Sequence, residues 1–140
     1  MLVRLLYVSR AVTTGIDDTE SILASSRKNN PGIGITGILC HGGELYLQAI
    51  EGGRNAVNDL FCKIMRDPRH SDVVLLDYEE IAERRFSGWT MGQVNLAKIN
   101  ASIVLKYSAL PELDPYAVSG KVSLALLEEL MATAAIIGRA

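Results

Sequence analysis

Residues 44–51 read Glu-Leu-Tyr-Leu-Gln-Ala-Ile-Glu, a stretch whose apolar side chains occupy both faces of any strand it forms. Successive side chains of a strand point to opposite sides of the sheet. Leu45, Leu47 and Ala49 therefore share one face, and Tyr46 and Ile50 share the other. Both faces need cover from water. Among the layered arrangements open to a small domain, a sheet enclosed on two sides meets that need.

The rest of the chain has the parts for such a fold. Val3, Leu5, Tyr7 and Ser9 alternate with Arg4, Leu6, Val8 and Arg10, which is strand periodicity. A polar stretch at 13–18 leads into a helix whose Ile22, Ser26 and Asn30 recur on one face. Pro31-Gly32 stops that helix at Asn30. Residues 35–41 form a second strand, Gly42-Gly43 a tight turn, and 44–51 a third strand. Gly52-Gly53 opens a second helix with Val57, Leu60, Phe61 and Ile64 as an apolar stripe, and Asp67-Pro68 ends it. Residues 73–78 read as a fourth strand and the stretch around 89–94 as a short fifth.

The order β-α-β-β-α-β-β predicts an α+β, ferredoxin-like fold with two helices on one face of a mixed sheet. The first crossover is expected to be right-handed. Those helices cover one face only, so the tail must cover the other. It has a helical stretch at about 96–107, a link with Pro111 and Pro115, and a helix at about 119–137 that is apolar over a wide arc. Residues 1–95 and a helical cap at 96–140 are thus expected to form one globular unit. The surplus apolar surface of the last helix suits a homodimer contact or a partner site.

Several function classes find no footing. The net charge of −2, with both signs interspersed, makes no electrostatic case for nucleic acid or an anionic membrane. The apolar run at 130–138 is shorter than the roughly 18 residues of a spanning helix. The N-terminus alternates like a strand and has no cleavage site, so a cytoplasmic location is expected. Cys40 and Cys62 lack metal or disulfide spacing and read as small buried hydrophobes. His41 and His70 also lack metal-ligand spacing. Gly32-Ile33-Gly34-Ile35-Thr36-Gly37 matches G-x-G-x-x-G, but it follows a helix and runs into a strand, the reverse of a dinucleotide fingerprint. Its glycines serve a turn and close backbone packing.

Polar residues on the helix-covered face carry the functional signal. Tyr7 shares its face with Val3 and Leu5, Gln48 lies between Tyr46 and Ile50, and Asn30 shares a stripe with Ile22. An unpartnered buried polar group costs about 1–3 kcal/mol. These three either satisfy one another and the backbone or face a polar ligand, and their convergence on one cleft points to a ligand.

Six separated blocks then resemble the BLUF (blue-light sensing using FAD) family, over about residues 1–95. They are Leu6-Tyr7-Val8-Ser9-Arg10, Ser25-Ser26-Arg27-Lys28-Asn29-Asn30 and Gly34-Ile35-Thr36-Gly37-Ile38-Leu39, followed by Tyr46-Leu47-Gln48-Ala49-Ile50-Glu51-Gly52, Asp67-Pro68-Arg69-His70 and Arg84-Arg85-Phe86-Ser87-Gly88-Trp89-Thr90-Met91-Gly92. The tail resembles that of short stand-alone members. The resemblance implies non-covalent FAD between the two crossover helices, with FMN and riboflavin as alternative flavins. Tyr7 matches the tyrosine that passes an electron and a proton to the excited flavin. Gln48 matches the glutamine whose hydrogen bonds at flavin N5 and O4 rearrange to give a reversible, red-shifted signalling state.

By the same resemblance, Asn30 is the main amide toward the flavin carbonyl and N3 edge, and Asn29 a secondary one. Ser26 shares that helix face, and Ile22 and Ile64 are apolar walls. Lys63, Asp67, Arg69 and His70 lie at the pyrimidine side or the cleft mouth. Trp89 and Met91 match a fifth-strand pair that exchanges places near Gln48. Arg27 and Lys28 either meet the FAD phosphates or complement the helix dipole. His41 and Ala49 depart from the family's usual aromatic and bulkier apolar residues. The expected protein is a photosensor without an output enzyme, signalling to a separate downstream protein. The alternatives are an acylphosphatase-like hydrolase, for which residues 9–15 supply one arginine and one glycine, and a plain interaction domain.

Overall fold

The computed structural model describes residues 1–12 and 18–132. Its strands are β1 (Leu2–Ala11), β2 (Thr36–Gly42), β3 (Leu45–Gly53), β4 (His70–Ile81) and β5 (Gly92–Asn95). Its helices are α1 (Asp18–Asn29), α2 (Arg54–Arg66), α3 (Ala101–Leu105) and α4 (Gly120–Ala132). The sheet order is β4-β1-β3-β2-β5. The β1–β3, β1–β4 and β2–β3 pairs are antiparallel, and β5 runs parallel to β2. This is the ferredoxin-like arrangement expected from the element order, with one added edge strand.

Local chemistry sets the boundaries. The Asn30 N–H still bonds the Ser26 carbonyl at 2.8 Å, and Asn30 keeps a helical backbone (φ −65°, ψ −37°). Pro31 then opens a single 3-10 turn, where a missing N–H costs nothing. Gly34, at φ 72°, ends it in a left-handed conformation that favours glycine. Gly37 marks a close approach: a Cβ there would lie 2.1 Å from the Ala49 carbonyl oxygen.

Four expectations need correction. The β2–β3 turn sits one residue later than Gly42-Gly43, because Gly42 pairs with Leu45 and Gly43 adopts φ 57°. Cys62 is exposed on α2, whereas Cys40 is buried and its thiol pKa is pushed up by burial. The 96–107 helix is broken. Asn95 accepts from the Ala97 N–H and Asn100 from the Ser102 N–H, so each asparagine starts a new turn and Ile99 is extended between them. Finally, β5 begins at Gly92, where pairing with Ile38 starts, so Trp89 and Met91 lie in the segment before the strand. Of the polar stretch expected at 13–18, residues 13–17 fall outside the described residues and Asp18 begins α1; the last turns of the 119–137 helix also fall outside them.

The two-faced sheet has a separate core on each side. Val3, Leu5, Tyr7, Leu39 and Ile50 pack with Ile22 and Leu23 of α1 and Val57 of α2. On the other side Leu6, Val8, Ile38, Leu47 and Ala49 pack with Leu124, Leu126, Leu127 and Leu130 of α4. Gly120 lets α4 start flush against β4, since a Cβ there would stand 2.4 Å from the Leu76 carbonyl oxygen. Among the described residues no helix is long and apolar enough to cross a membrane.

Leu126 has no exposed surface. Leu126→Ala is expected to cost about 2–5 kcal/mol through lost burial and the cavity left behind. Urea unfolding checks this; a loss within about 0.5 kcal/mol would mean that α4 does not contribute to the core as described.

Candidate functional site

A cleft of about 410 Å³ opens between α1 and α2 above the centre of the sheet. That lies within the roughly 300–1,000 Å³ of ligand pockets. Tyr7 and Gln48 form its floor. Ile22, Ser25, Ser26, Asn29, Asn30 and Ile33 line it from α1 and the turn after it. Leu60, Lys63 and Ile64 of α2, with Asp67, Arg69 and His70, complete the lining. Every residue that the sequence assigned to a binding cleft is among them. Ser25, Ile33 and Leu60 were missed. Leu60 lies one turn before Ile64 and Ser25 one turn before Asn29, so helical spacing alone could have found both.

The floor is set by strand register. Tyr7 and Gln48 are direct cross-strand partners on β1 and β3, so both side chains rise on the same face. Tyr7 Oη donates to Gln48 Oε1. Gln48 Nε2 faces Met91 Sδ at 3.2 Å. Tyr7 and Met91 have no exposed surface and Gln48 almost none. Burial pushes the Tyr7 phenol pKa well above its ordinary value; nearby Asp67 and Tyr46 raise it further, against Arg69. The phenol therefore holds its proton and directs it at the Gln48 carbonyl.

Met91 and Trp89 are separated by the sheet. Met91 belongs to the core beneath the cleft, while Trp89 packs among the α4-side residues. The residue beside Gln48 is thus the methionine. Arg27 donates to the Met91 carbonyl at 3.3 Å, and neither Arg27 nor Lys28 is part of the cleft lining.

Next to this floor, the buried Asn30 Nδ2 has no hydrogen-bond partner among the described residues. An orphaned amide donor at a cleft wall fits a ligand carbonyl. At the mouth, Arg69 binds Asp67 through its Nε, its terminal nitrogen at 2.6 Å and its own backbone N–H. Arg69 also reaches Ser21 Oγ at 2.7 Å. His70 Nδ1 pairs with Ser9 Oγ at 2.7 Å, and the ring stands edge-on to Tyr7 and Tyr46. A buried amide donor, an acceptor-and-donor glutamine, aliphatic walls and a phenol together fit a flat heterocycle with a carbonyl edge. No group of three or more metal-ligating side chains occurs among the described residues.

The family model described as BLUF, sensors of blue-light using FAD, matches residues 2–92. The chain belongs to the BLUF family. The photoactivated adenylate cyclase subunit beta of Euglena longa is 35% identical over 92 residues, which cover 64% of this chain and 11% of that protein. The alpha subunit of Euglena gracilis is 37% identical over 84 residues, covering 59% of this chain and 8% of that one. This BLUF chain therefore spans about a tenth of the length of the curated relatives it matches.

Solved structures agree over nearly the whole chain. The dark-state structure of BlrB, a BLUF protein, is 36% identical, with a TM-score of 0.77 over 95% of this chain and 96% of that one. Photo-activated BlsA is 29% identical, with a TM-score of 0.83 over 94% and 95% of the two chains. Klebsiella pneumoniae BlrP1, solved with FMN and cyclic diGMP, is 30% identical, with a TM-score of 0.70 over 96% of this chain and 35% of that one. The BLUF family uses FAD, so this chain is a flavin-binding blue-light sensor module. The hydrolase alternative meets an obstacle in Arg10. The arginine such an enzyme would need pairs with Asp72 at 3.5 Å, lies 4.5 Å from the Tyr116 ring centre, and is not in the cleft lining.

The Arg69 hydrogen bonds hold the Asp67 carboxyl below its ordinary value of 3.8, outweighing burial. A depressed acid contributes stability that is complete above its unfolded pKa and is lost as pH falls through the lower folded value. Carbon-13 titration of Asp67 is expected to show a midpoint below 3.8, rising in Arg69→Ala. An unchanged midpoint in that variant would remove Arg69 as the cause.

Proposed function

We propose that this chain holds FAD in the α1–α2 cleft and reads blue light through Tyr7 and Gln48. The observation that carries the reading is the chain of contacts Tyr7–Gln48–Met91 on the cleft floor beside the orphaned Asn30 Nδ2. Asn30, with Asn29 as a secondary contact, holds the carbonyl edge of the ring. Ile22, Ile64 and Leu60 are its apolar walls, and Ser26, Lys63, Asp67, Arg69 and His70 serve the polar rim. FMN fits the same ring contacts, because none of them involves the adenosine half.

The flavin, when bound, supplies absorption of blue light and an excited state that accepts an electron. Tyr7 is the electron donor, and its Oη proton moves toward Gln48 Oε1 along the existing hydrogen bond. Gln48 is suited to the rearrangement because its amide has one donor end and one acceptor end. Rotation or tautomerisation exchanges them, so Tyr7 and Met91 face the opposite partner. No covalent bond forms, and the arrangement is free to return in the dark. Met91 is the first protein group outside the pair to feel the exchange.

Sensing and output fall to different parts of the chain. Residues 1–95 are the photosensor and residues 96–140 a helical cap belonging to the same globular unit. The cap passes the state of the flavin to a separate partner protein, and the unit works in the cytoplasm. Sensing itself requires no enzyme activity in this chain.

Tyr7→Phe is expected to bind flavin and lose the red-shifted photoproduct, since phenylalanine keeps the volume without a transferable proton. It leaves the buried Gln48 carbonyl without its donor, at a cost of about 1–3 kcal/mol. Full photoconversion of this variant, followed by absorption spectroscopy, would end the assignment.

Gln48→Leu should also fold and bind flavin, because leucine suits a strand position between Tyr46 and Ile50. It is expected to abolish switching. A leucine variant that cycles like the parent would make Gln48 a structural residue only.

A further inference from the structure

We propose that Glu51 is the positioning residue that holds Met91 against Gln48: one buried carboxylate is the shared acceptor for Arg4 of β1 and for two successive amides of the segment that delivers Met91. The inference rests on the assignment of Tyr7 and Gln48 as the photoactive pair. Glu51 has no exposed surface and lies on the sheet face opposite the cleft, so it is not part of the flavin-facing lining.

The geometry is that of a brace on the back of the photoactive pair. Arg4 and Glu51 are cross-strand partners on the same two strands as Tyr7 and Gln48. Arg4 Nε donates to Glu51 Oε2 at 2.8 Å, and its terminal nitrogen reaches Glu79 Oε1 at 2.7 Å. One guanidinium thereby ties β1 to both of its neighbours. A buried carboxylate is tolerated only when its charge and lone pairs are satisfied. Glu51 meets that condition with two further donors, the backbone N–H of Arg85 at 3.0 Å and that of Phe86 at 2.7 Å.

Those two amides begin the stretch that leads to β5. The Trp89 N–H bonds the Phe86 carbonyl at 3.2 Å, and the Trp89 carbonyl accepts from the Gly37 N–H at 3.0 Å. The chain then crosses to the cleft face, where Met91 meets Gln48, and enters β5 at Gly92. The segment is therefore pinned at its start by Glu51 and at its end by β2. Met91 lies between the β2 contacts at Trp89 and Gly92, and its own carbonyl accepts from Arg27 at 3.3 Å, while Glu51 sets where the run that carries it begins. Charge-assisted bonds are the stronger kind, and more so away from water. Glu51 is fully buried whereas Arg27, which bonds the Met91 carbonyl, is exposed, so the Glu51 pin is the one whose removal shifts the segment most.

The test compares the parent with Glu51→Gln, which keeps the shape and an acceptor but removes the charge. Lys106→Ala, which removes the exposed contact with Glu129 just after α3, is the control. Glu51→Gln is expected to bind flavin and still photoconvert, because Tyr7 and Gln48 are untouched. Its dark recovery should change by about tenfold, the factor that accompanies a loss of about 1.4 kcal/mol when charged hydrogen bonds become neutral ones. Emission from Trp89, the single tryptophan of the chain, should shift to the red as the segment loosens. The control should match the parent in both.

Recovery within about twofold of the parent, with unchanged Trp89 emission, would overturn the proposal. If the glutamine variant does not fold, amide exchange of the parent in the dark decides. Slow exchange at Arg85 and Phe86 supports the pin, and exchange as fast as in open loops rejects it. A parent that binds no flavin defeats the photoreceptor reading alone, because Trp89 emission and amide exchange still test the Glu51 pin.

Discussion

The register between β1 and β3 is the constraint on which the other features rest. It sets Tyr7 opposite Gln48 on one face and Arg4 opposite Glu51 on the other. A slip of one residue would turn every side chain of the strand to the wrong side. The phenol would then leave the cleft for the α4-side core, and the buried carboxylate would lose its cation. Leucines lie on both faces, Leu5 in one core and Leu6 in the other, so the buried polar residues Arg4, Gln48 and Glu51 are what a slip would misplace. The buried Arg4–Glu51 pair marks the register, because it forms only when those two residues are cross-strand partners.

The same register gives the sheet two different sides. The cleft side contains a hydrogen-bond relay in which one amide can reverse its donor and acceptor ends. The other side contains the apolar layer of α4, locked to β4 by the close approach at Gly120. The segment from Arg85 to Met91 touches both sides, with Phe86 and Trp89 in one core and Met91 in the other. Its Arg85 side chain also pairs with Glu128 of α4. The segment thus joins the cleft floor to the α4 layer through a short run of packed residues.

The readable parts of the sequence were those governed by local periodicity. Strand alternation located β1 and β3 and the face that Tyr7 shares with Val3 and Leu5. The i, i+4 spacing aligned Ile22, Ser26 and Asn30, and all three line the cleft. The least readable parts were those where side chains replace backbone hydrogen bonds. Asn95 and Asn100 restart the chain as separate turns in a stretch whose composition suited one helix. Cys62 looked like a core residue by type, but its position on the helix turned it outward.

By itself, the sequence determined the number and order of elements and the need for cover on both faces of the sheet. It also identified the polar residues stranded among apolar neighbours. These follow from side-chain alternation, helical spacing and the cost of burying an unpartnered group, all of which act over a few residues. Tertiary structure alone decided that Met91 rather than Trp89 meets Gln48, because that depends on where a loop crosses the sheet. It also decided the surroundings of Glu51, whose partners come from β1 and from the distant segment at Arg85 and Phe86. Contacts between residues so far apart in the chain leave no periodic trace, and only the packed fold brings them together.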